Sequence, residues 1–342
     1  MRVKRNVGFA AGANRGAEEA RGEIVAFLND DAVAGAGWVA AAVHLLEDPT
    51  VGAVGPRVVL SGRYLEIKLD DEPWFAGGDD RPLGRQLTSV SLGGASMLAL
   101  LAGTGVHELE EKQLDNPRQG PQQWRWTSGR APFYVPLVET GAPFELEING
   151  EIVRPSRVVD LVSSAGSYLR PDGYVGDIGS KTPNDEALDV AEERFALSGA
   201  ALVTTRRVLD RVGRFAPRYF AYYEDTDWCW RARLMGLRMF YDPVATVRHE
   251  SGGTSAHLPQ KRVRQLAERN RILTLVRNAP FDVAMRETWR KRTGGGDDGV
   301  AELVPRILPR ALAEREVLRR HWVVRPREVF ERWAGVDVPA SP

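Results

Sequence analysis

Cysteine is almost absent: Cys229 is the single one among 342 residues. That excludes an intramolecular disulfide framework and a cysteine-based zinc site, and it suits a reducing compartment. Long apolar runs are missing too. No stretch reaches the roughly 18 residues of a spanning helix, and the opening MRVKRNVGFAAGANRG lacks the apolar core of a signal peptide. The expectation is a cytoplasmic protein whose membrane contact, if any, is peripheral on the inner face. An excess of one charge is likewise absent, with 46 Lys and Arg against 46 Asp and Glu. With no recognised nucleic-acid motif, this argues against a nucleic-acid partner. GFAAGANRG has neither the glycine spacing nor the preceding strand of a dinucleotide-binding loop, which excludes that class of oxidoreductase. What is present is ordinary globular material, 43% hydrophobic and 27% charged, long enough for one interrupted domain or two domains with a tail.

The texture of the chain changes three times. In residues 16–60, GEIVAFLNDDA reads as an apolar strand ending in acids, GWVAAAVHLLEDP as a helix and VGAVGPRVVL as another strand. Strand, helix, strand implies a parallel layer, whose ligands gather at the carboxyl ends of the strands. From residue 64 to 157, short alternating segments such as RQLTSVSL, WRWTSG and FELEINGEIV are separated by turn residues and predict a small β-sandwich. Asn149-Gly150 supplies the chemistry of a tight hairpin turn. From residue 158 to 280 the α/β texture resumes, with FALSGAALVTTRRVLDRVG as strand and helix and a helix from about Thr226. Residues 258–292 carry ten Lys or Arg against three acids. A glycine-rich break at Gly294–Gly296 separates them from AELVPRILPRALAEREVLRRHWVV, which reads as an amphipathic helix interrupted by prolines. The tail, 281–342, is helical.

Three constellations carry chemistry. In LNDDA, Asp30 and Asp31 leave the end of an apolar strand, where one or two carboxylates suffice for Mg²⁺ or Mn²⁺ on a diphosphate; capping of the next element is the plainer role. In YYEDTDW, Glu224, Asp225 and Asp227 open a helix whose N-terminus favours the ionised form, suiting a base that takes a proton from a hydroxyl; simple N-capping competes. His249, in VRHE, ends a strand and could complete a metal site or be a surface histidine. Trp124-Arg125-Trp126 offers either a sugar-stacking platform or core packing. Trp289 and Trp322, among arginines, suit either an anionic lipid surface or a helix packed on the preceding domain.

Taken in order, NVGFAAGANRG, GEIVAFLNDDA, FALSGAALVTTRRVLDRVGRFAPRYFAYYEDTDWCWRARLMG, RMFYDPVATVRHESGGTS and RQLAERNRILTLVRN resemble the family 2 glycosyltransferases, especially the rhamnosyltransferase-like group. The resemblance covers roughly residues 2–60 and 158–280. It implies a GT-A fold: a mostly parallel sheet flanked by helices, interrupted by the β-rich insertion and followed by the helical tail. Domains would then run 1–63 and 158–280 for the two parts of the transferase, 64–157 for the insertion and 281–342 for the tail. It implies inverting transfer from a UDP- or dTDP-linked sugar to a glycan or lipid-linked acceptor. Asp31 would hold the cation, with Asp30 beside it and His249 as a further ligand. Asp225 would be the base and Glu224 its neighbour. Asn6, Gly8, Gly12 and Asn14 would shape the nucleotide-sugar loop, and Ser198, Gly199 and Ala200 would line the acceptor side. The family's usual first strand is not in this sequence, which predicts an N-terminally truncated domain. A catalytically silent, carbohydrate-binding relative is the alternative function.

Overall fold

A computed structural model describes residues 6–112, 121–138, 145–250, 259–294 and 299–339. The expected glycine break falls partly outside them, as does the SGGTS segment after His249. The chain divides into two compact units, Met1–Val59, Ser164–Ile178 and Glu186–Pro339 forming the first, and Leu60–Ser163, Gly179–Asp185 and Ala340–Pro342 the second.

Chain order begins with α1 (Phe9–Glu19), β1 (Ile24–Leu28), β2 (Ala32–Ala34), α2 (Trp38–Leu46) and β3 (Val51–Ile67), which leaves the first unit after Val59. The second unit contributes β4 (Gln86–Leu87), β5 (Val90–Leu92), β6 (Ala95–Ser96), β7 (Glu110–Lys112), β8 (Gln122–Trp126), β9 (Phe133–Pro136), β10 (Leu146–Ile148), β11 (Glu151–Ile152) and β12 (Arg157–Ser164). The first unit resumes with β13 (Ser167–Leu169), β14 (Val175–Asp177), β15 (Glu192–Glu193), β16 (Ala201–Thr205), α3 (Arg206–Val212), α4 (Glu224–Leu234) and β17 (Arg238–His249). It ends in α5 (Gln260–Asn278), α6 (Phe281–Thr293), α7 (Val300–Leu318) and α8 (Pro326–Trp333).

In the first unit a central sheet runs β1-β16-β3-β17-β15. The expected crossover from β1 through α2 to β3 is present, and those two strands run the same way. They are not paired with each other, however, because β16 lies between them, antiparallel to both. The segment that separates β1 from β3 in space is 130 or more residues away in sequence, so local texture shows the crossover but not its intruder. Apolar faces close the core on both sides. Val25, Phe27, Leu202, Phe215, Trp228, Trp230 and the α5 residues Leu273 and Val276 form one buried cluster, and Trp38, Ala42, Val54, Val203 and Val247 form another. Helix α3 starts where Thr205 accepts from Val208 N at 3.2 Å, a side-chain cap, and it buries Val208, Leu209 and Val212. Helix α7 runs through Pro305 and Pro309 without ending. Its packing on α5 and the buried Ala311 offset hydrogen bonds that proline cannot donate.

The second unit is β-rich: β11-β10-β5-β6 make one sheet, β4-β8-β7 another, and β9 lies antiparallel to β3. Leu87, Leu92, Phe133, Leu146 and Ile148 anchor its core. The β10–β11 turn is built as the residue types predict. Asn149 (φ 51°) and Gly150 (φ 82°) both take the left-handed region, and Asn149 Oδ1 accepts from Thr88 N at 2.8 Å.

Candidate active site

Two acidic centres lie at one end of the central sheet, in the first unit. At the first, β1 ends at Leu28, opposite Ala201 of β16. The chain turns through Asn29, Asp30 and Asp31 and pairs again as β2 with the end of β17, Ala32 opposite His249. This register brings Asp31 and His249 together across 218 residues of sequence. Asp31 Oδ1 stands 3.0 Å from His249 Nε2, and Asn29 Nδ2 lies 3.2 Å from the same nitrogen. The Asp31 approach lacks hydrogen-bond alignment, and Asp31 Oδ1, Asn29 Oδ1 and His249 Nδ1 are all buried without a partner. Buried polar atoms are ordinarily satisfied, so the unpartnered oxygens of Asn29 and Asp31 beside an imidazole fit a cation, with Asn29 Nδ2 a donor to the same ring. No group of three His, Cys, Asp or Glu suited to a metal occurs among the described residues. Two protein ligands leave the remaining positions to phosphate and water. Asp30 is exposed.

The second centre is the first turn of α4. Its approach is strained, since Phe220, Tyr222 and Tyr223 have φ of 68°, 69° and 68°. Side chains of that bulk rarely adopt this region, at a cost of about 1–3 kcal/mol each. Asn270 of α5 holds the segment by donating to the carbonyls of Tyr219, Ala221 and Tyr222 at 3.0, 2.8 and 2.7 Å. Tyr223 Oη accepts from Val175 N at 3.2 Å, tying the segment to the β13–β14 hairpin.

The three acids that follow differ sharply. Asp227 is fully buried and structural. Burial alone would raise it, but Arg277 and Arg231 beside it hold it well below the usual carboxylate range. Arg277 Nε donates at 2.7 Å, Arg231 Nε at 2.9 Å and Asn278 Nδ2 at 2.9 Å. Glu224 is also buried, with Oε2 unpartnered. Burial first, then the Asp225 charge, pushes it up to about 8, so it keeps its proton at neutral pH. Asp225 is half-buried and reachable. Burial raises it, against the pull of two backbone donors, Gly199 N at 2.7 Å and Thr226 N at 2.6 Å.

Gly199 is therefore part of the acid's cradle. A Cβ there would meet Asp225 Oδ2 at 3.2 Å and Phe9 Cε1 at 3.4 Å. Ser198 Oγ accepts from Ala200 N at 3.3 Å, and Ala200 O accepts from Asn29 N at 3.0 Å. One peptide step thus joins the Asp225 cradle to the Asn29–Asp31 turn. A carboxylate not singled out from the sequence also belongs here: Asp177 of β14. Its side chain is exposed to solvent at the end of the hairpin. Burial raises it to about 6; bonds from Ser164 at 2.8 Å and Ser167 at 3.3 Å oppose this, and the Asp225 charge adds to it. Nothing in PDGYVGD marks it, because its neighbour Asp225 comes 48 residues later.

The glycine-rich start is not a loop. After Asn6, whose Oδ1 accepts from Gly8 N at 2.9 Å, residues 9–19 are helical. Gly8 is required: its φ is 82°, and a Cβ would fall 2.5 Å from Phe220 O. Gly12 lies within α1 facing open space. Asn14 is buried and uses both amide atoms on Phe215, donating to its O at 2.8 Å and accepting from its N at 3.0 Å. Asn6 and Gly8 thus set the entry of α1, and Asn14 is a brace beneath it; the segment that the resemblance reads as a nucleotide-sugar loop is mostly a helix preceded by an Asx turn.

Comparison with known proteins adds family information before, partly within and after the β-rich unit. Residues 1–100 match the model described as Glycosyl transferase family 2, and residues 185–267 match that described as Glycosyltransferase like family 2. Together the matches contain the Asn29–Asp31 turn, the α4 acids and His249, and they support a family 2 glycosyltransferase. No curated protein matches. A similar solved structure is the crystal structure of GalNAc-T7 with UDP, GalNAc and Mn2+, at 10% identity and a TM-score of 0.48, covering 97% of this chain and 44% of that one. This chain therefore spans less than half of that protein's length. No helix among the described residues is long and apolar enough to cross a membrane.

Proposed function

We propose that the chain is a metal-dependent, inverting glycosyltransferase that moves a sugar from a UDP- or dTDP-linked donor to a hydroxyl of a glycan or lipid-linked acceptor. The observation that carries this reading is the pairing of two unlike acid centres at one sheet end: unpartnered buried oxygens of Asn29 and Asp31 beside the His249 imidazole, and a reachable carboxylate with raised proton affinity at Asp225.

Asp225 takes the proton of the acceptor hydroxyl as its oxygen attacks the anomeric carbon from the face opposite the nucleotide. The C–O bond to the diphosphate breaks with its electron pair leaving on the phosphate oxygen, and a single displacement inverts the carbon. Burial raises the proton affinity of Asp225, which improves it as a base. The N–H groups of Gly199 and Thr226 fix its orientation. Glu224, keeping its proton at neutral pH, avoids a second charge beside the base. Asp31 and His249 would hold Mg²⁺ or Mn²⁺, which supplies charge neutralisation for the departing diphosphate. Rhamnosyl transfer and a cell-envelope product belong to this proposal, as does peripheral membrane contact by the basic tail.

Nucleotide release from a panel of UDP-, dTDP- and GDP-sugars with Mn²⁺ or Mg²⁺ tests it. Turnover should fall by a factor of about 10²–10⁴ in Asp225→Asn, and Asp31→Ala should lose Mn²⁺ binding measured directly by paramagnetic resonance. Near-normal transfer by a folded Asp225→Asn protein would remove the assignment.

A further inference from the structure

The second unit carries a set of aromatic side chains that its core does not use. Trp74 is 47% exposed and Phe75 66%, and Trp124 and Trp126 are half-buried. None of the four belongs to either buried cluster of the unit. Strand β8 explains their arrangement. Its side chains alternate, so Gln122, Trp124 and Trp126 share one face about 7 Å apart, while Arg125 turns the other way to the carbonyls of His107 and Leu101 at 2.8 Å each. Cross-strand partners share a face, which places Gln86 beside Trp126, Glu110 beside Trp124 and Lys112 beside Gln122. Trp74 meets the Trp126 ring edge-on, with centroids 5.8 Å apart.

This face is held in place. Trp124 Nε1 donates to Glu110 Oε2 at 3.1 Å, Arg81 pairs with Glu110 Oε1 at 3.0 Å, and Asp79 holds Arg81 through contacts of 2.7–3.1 Å. An aromatic placed only to fill space needs no ionic clamp, and fixing a half-exposed ring before binding lowers the entropy cost of binding. The clamp also consumes its own charges, Arg81 against Asp79 and Glu110. What remains on offer around the rings, among the described residues, is the exposed amides of Gln86 and Gln122 and, beyond Gln122, the Lys112 ammonium, which also donates to hydroxyls. Flat indole faces with neutral donors and acceptors at their edges complement a molecule whose rings present C–H groups on their faces and hydroxyls around the rim.

We infer that the Trp74–Trp124–Trp126 face of the β-rich unit is a binding site for an uncharged oligosaccharide chain, stacking sugar rings on the indoles and bonding hydroxyls to Gln86 and Gln122. The site does not depend on the transferase reading, since it lies wholly within the second unit and needs no nucleotide.

The test uses the full chain in native gels cast with dextran, galactomannan, mannan, arabinogalactan or hydroxyethylcellulose, and then tryptophan fluorescence titration with the hexasaccharide of whichever polymer retards it. Retardation by at least one polymer is expected, with quenching that saturates. Trp124→Ala and Trp74→Ala should each weaken binding at least about tenfold, Trp124→Phe should weaken it less, and nucleotide release from sugar donors should be unchanged in all three. No retardation by any polymer overturns the inference, as does equal retardation of a Trp124→Ala protein whose thermal unfolding matches the parent. Concentration-dependent self-association abolished by Trp124→Ala, without sugar binding, would assign the face to a second copy of the chain and also overturn it.

Discussion

Replacing Glu224 by glutamine should stabilise the protein, and by an amount that depends on pH. Glu224 is buried at 6% exposure beside Asp225, and its proton affinity rises from the ordinary 4.5 to about 8. Because the folded form binds the proton more tightly than the unfolded chain, this acid contributes stability below about pH 4.5 that is lost as pH rises toward about 8. The gap corresponds to roughly 5 kcal/mol between the two limits. Part of it comes from the Asp225 charge, which two interacting acids share across both titrations. A glutamine, with the shape of the protonated acid and no charge, should therefore recover about 2–4 kcal/mol at pH 9 and less than about 1 kcal/mol at pH 5. Urea unfolding of parent and variant at pH 5, 7 and 9, followed by near-ultraviolet circular dichroism, measures this directly. A variant destabilised equally at pH 5 and pH 9 would refute the reasoning, since it would mean that the carboxylate makes bonds an amide cannot replace and carries no charge penalty.

Asp227→Asn removes the charge that Arg231 and Arg277 surround; breaking such a buried pair should cost about 3–5 kcal/mol in chemical denaturation, whereas Asp225→Asn should cost less, because the backbone bond lost at one of its two cradle donors is offset by relief of a buried charge. Gly8→Ala combines a φ of 82° with a Cβ 2.5 Å from Phe220 O, so a loss of at least about 2 kcal/mol is expected by thermal unfolding. The proton affinity of Asp225 lies above the ordinary 3.8, so the acid limb of the transfer rate should fall at higher pH than for an exposed aspartate, as a pH–rate profile at saturating donor would show. Asn270→Ala frees three carbonyls of the strained segment and should reduce turnover more than it reduces donor affinity, a split read from kcat against KM.

The types of residue that form the site were legible in the sequence, and so were the elements that deliver them. An apolar strand ending in NDD and a helix opening on EDTD need only local patterning to be recognised. The change of texture near residue 64 likewise reflects period-2 alternation and turn chemistry, which act over a few residues. What local patterning does not carry is pairing across the fold. The antiparallel insertion of β16 between β1 and β3 joins segments about 150–180 residues apart, and the chain just before β16 places Gly199 under Asp225. Asp177 was invisible for that reason: alone it is an acid after a short strand, and only the hairpin tied by Val175 N to Tyr223 brings it toward the α4 acids.

The start of the chain shows the opposite case, in which the resemblance implies a loop where the backbone is helical. NVGFAAGANRG, with three glycines and two asparagines in eleven residues, resembles a nucleotide-side loop. Yet only Gly8 sits at positive φ, and the room it saves is filled by Phe220, not by open space for a ligand. Gly12 costs α1 about 1 kcal/mol relative to alanine without any close approach to account for it. The Asn14 amide, meanwhile, fixes Phe215, whose ring packs on Phe9, Phe27 and Trp228. Phe215 precedes the strained turn by a few residues, and Ala10 N donates to Phe220 O within it at 3.2 Å. Helix α1 therefore supports the left-handed backbone that presents Asp225. The strain at Phe220, Tyr222 and Tyr223 must be held from outside, and α1 from one side with Asn270 from another supply the bonds that hold it. On this argument the N-terminal asparagines act on the base through the backbone, and their removal should change the orientation of Asp225 before it changes contact with any nucleotide.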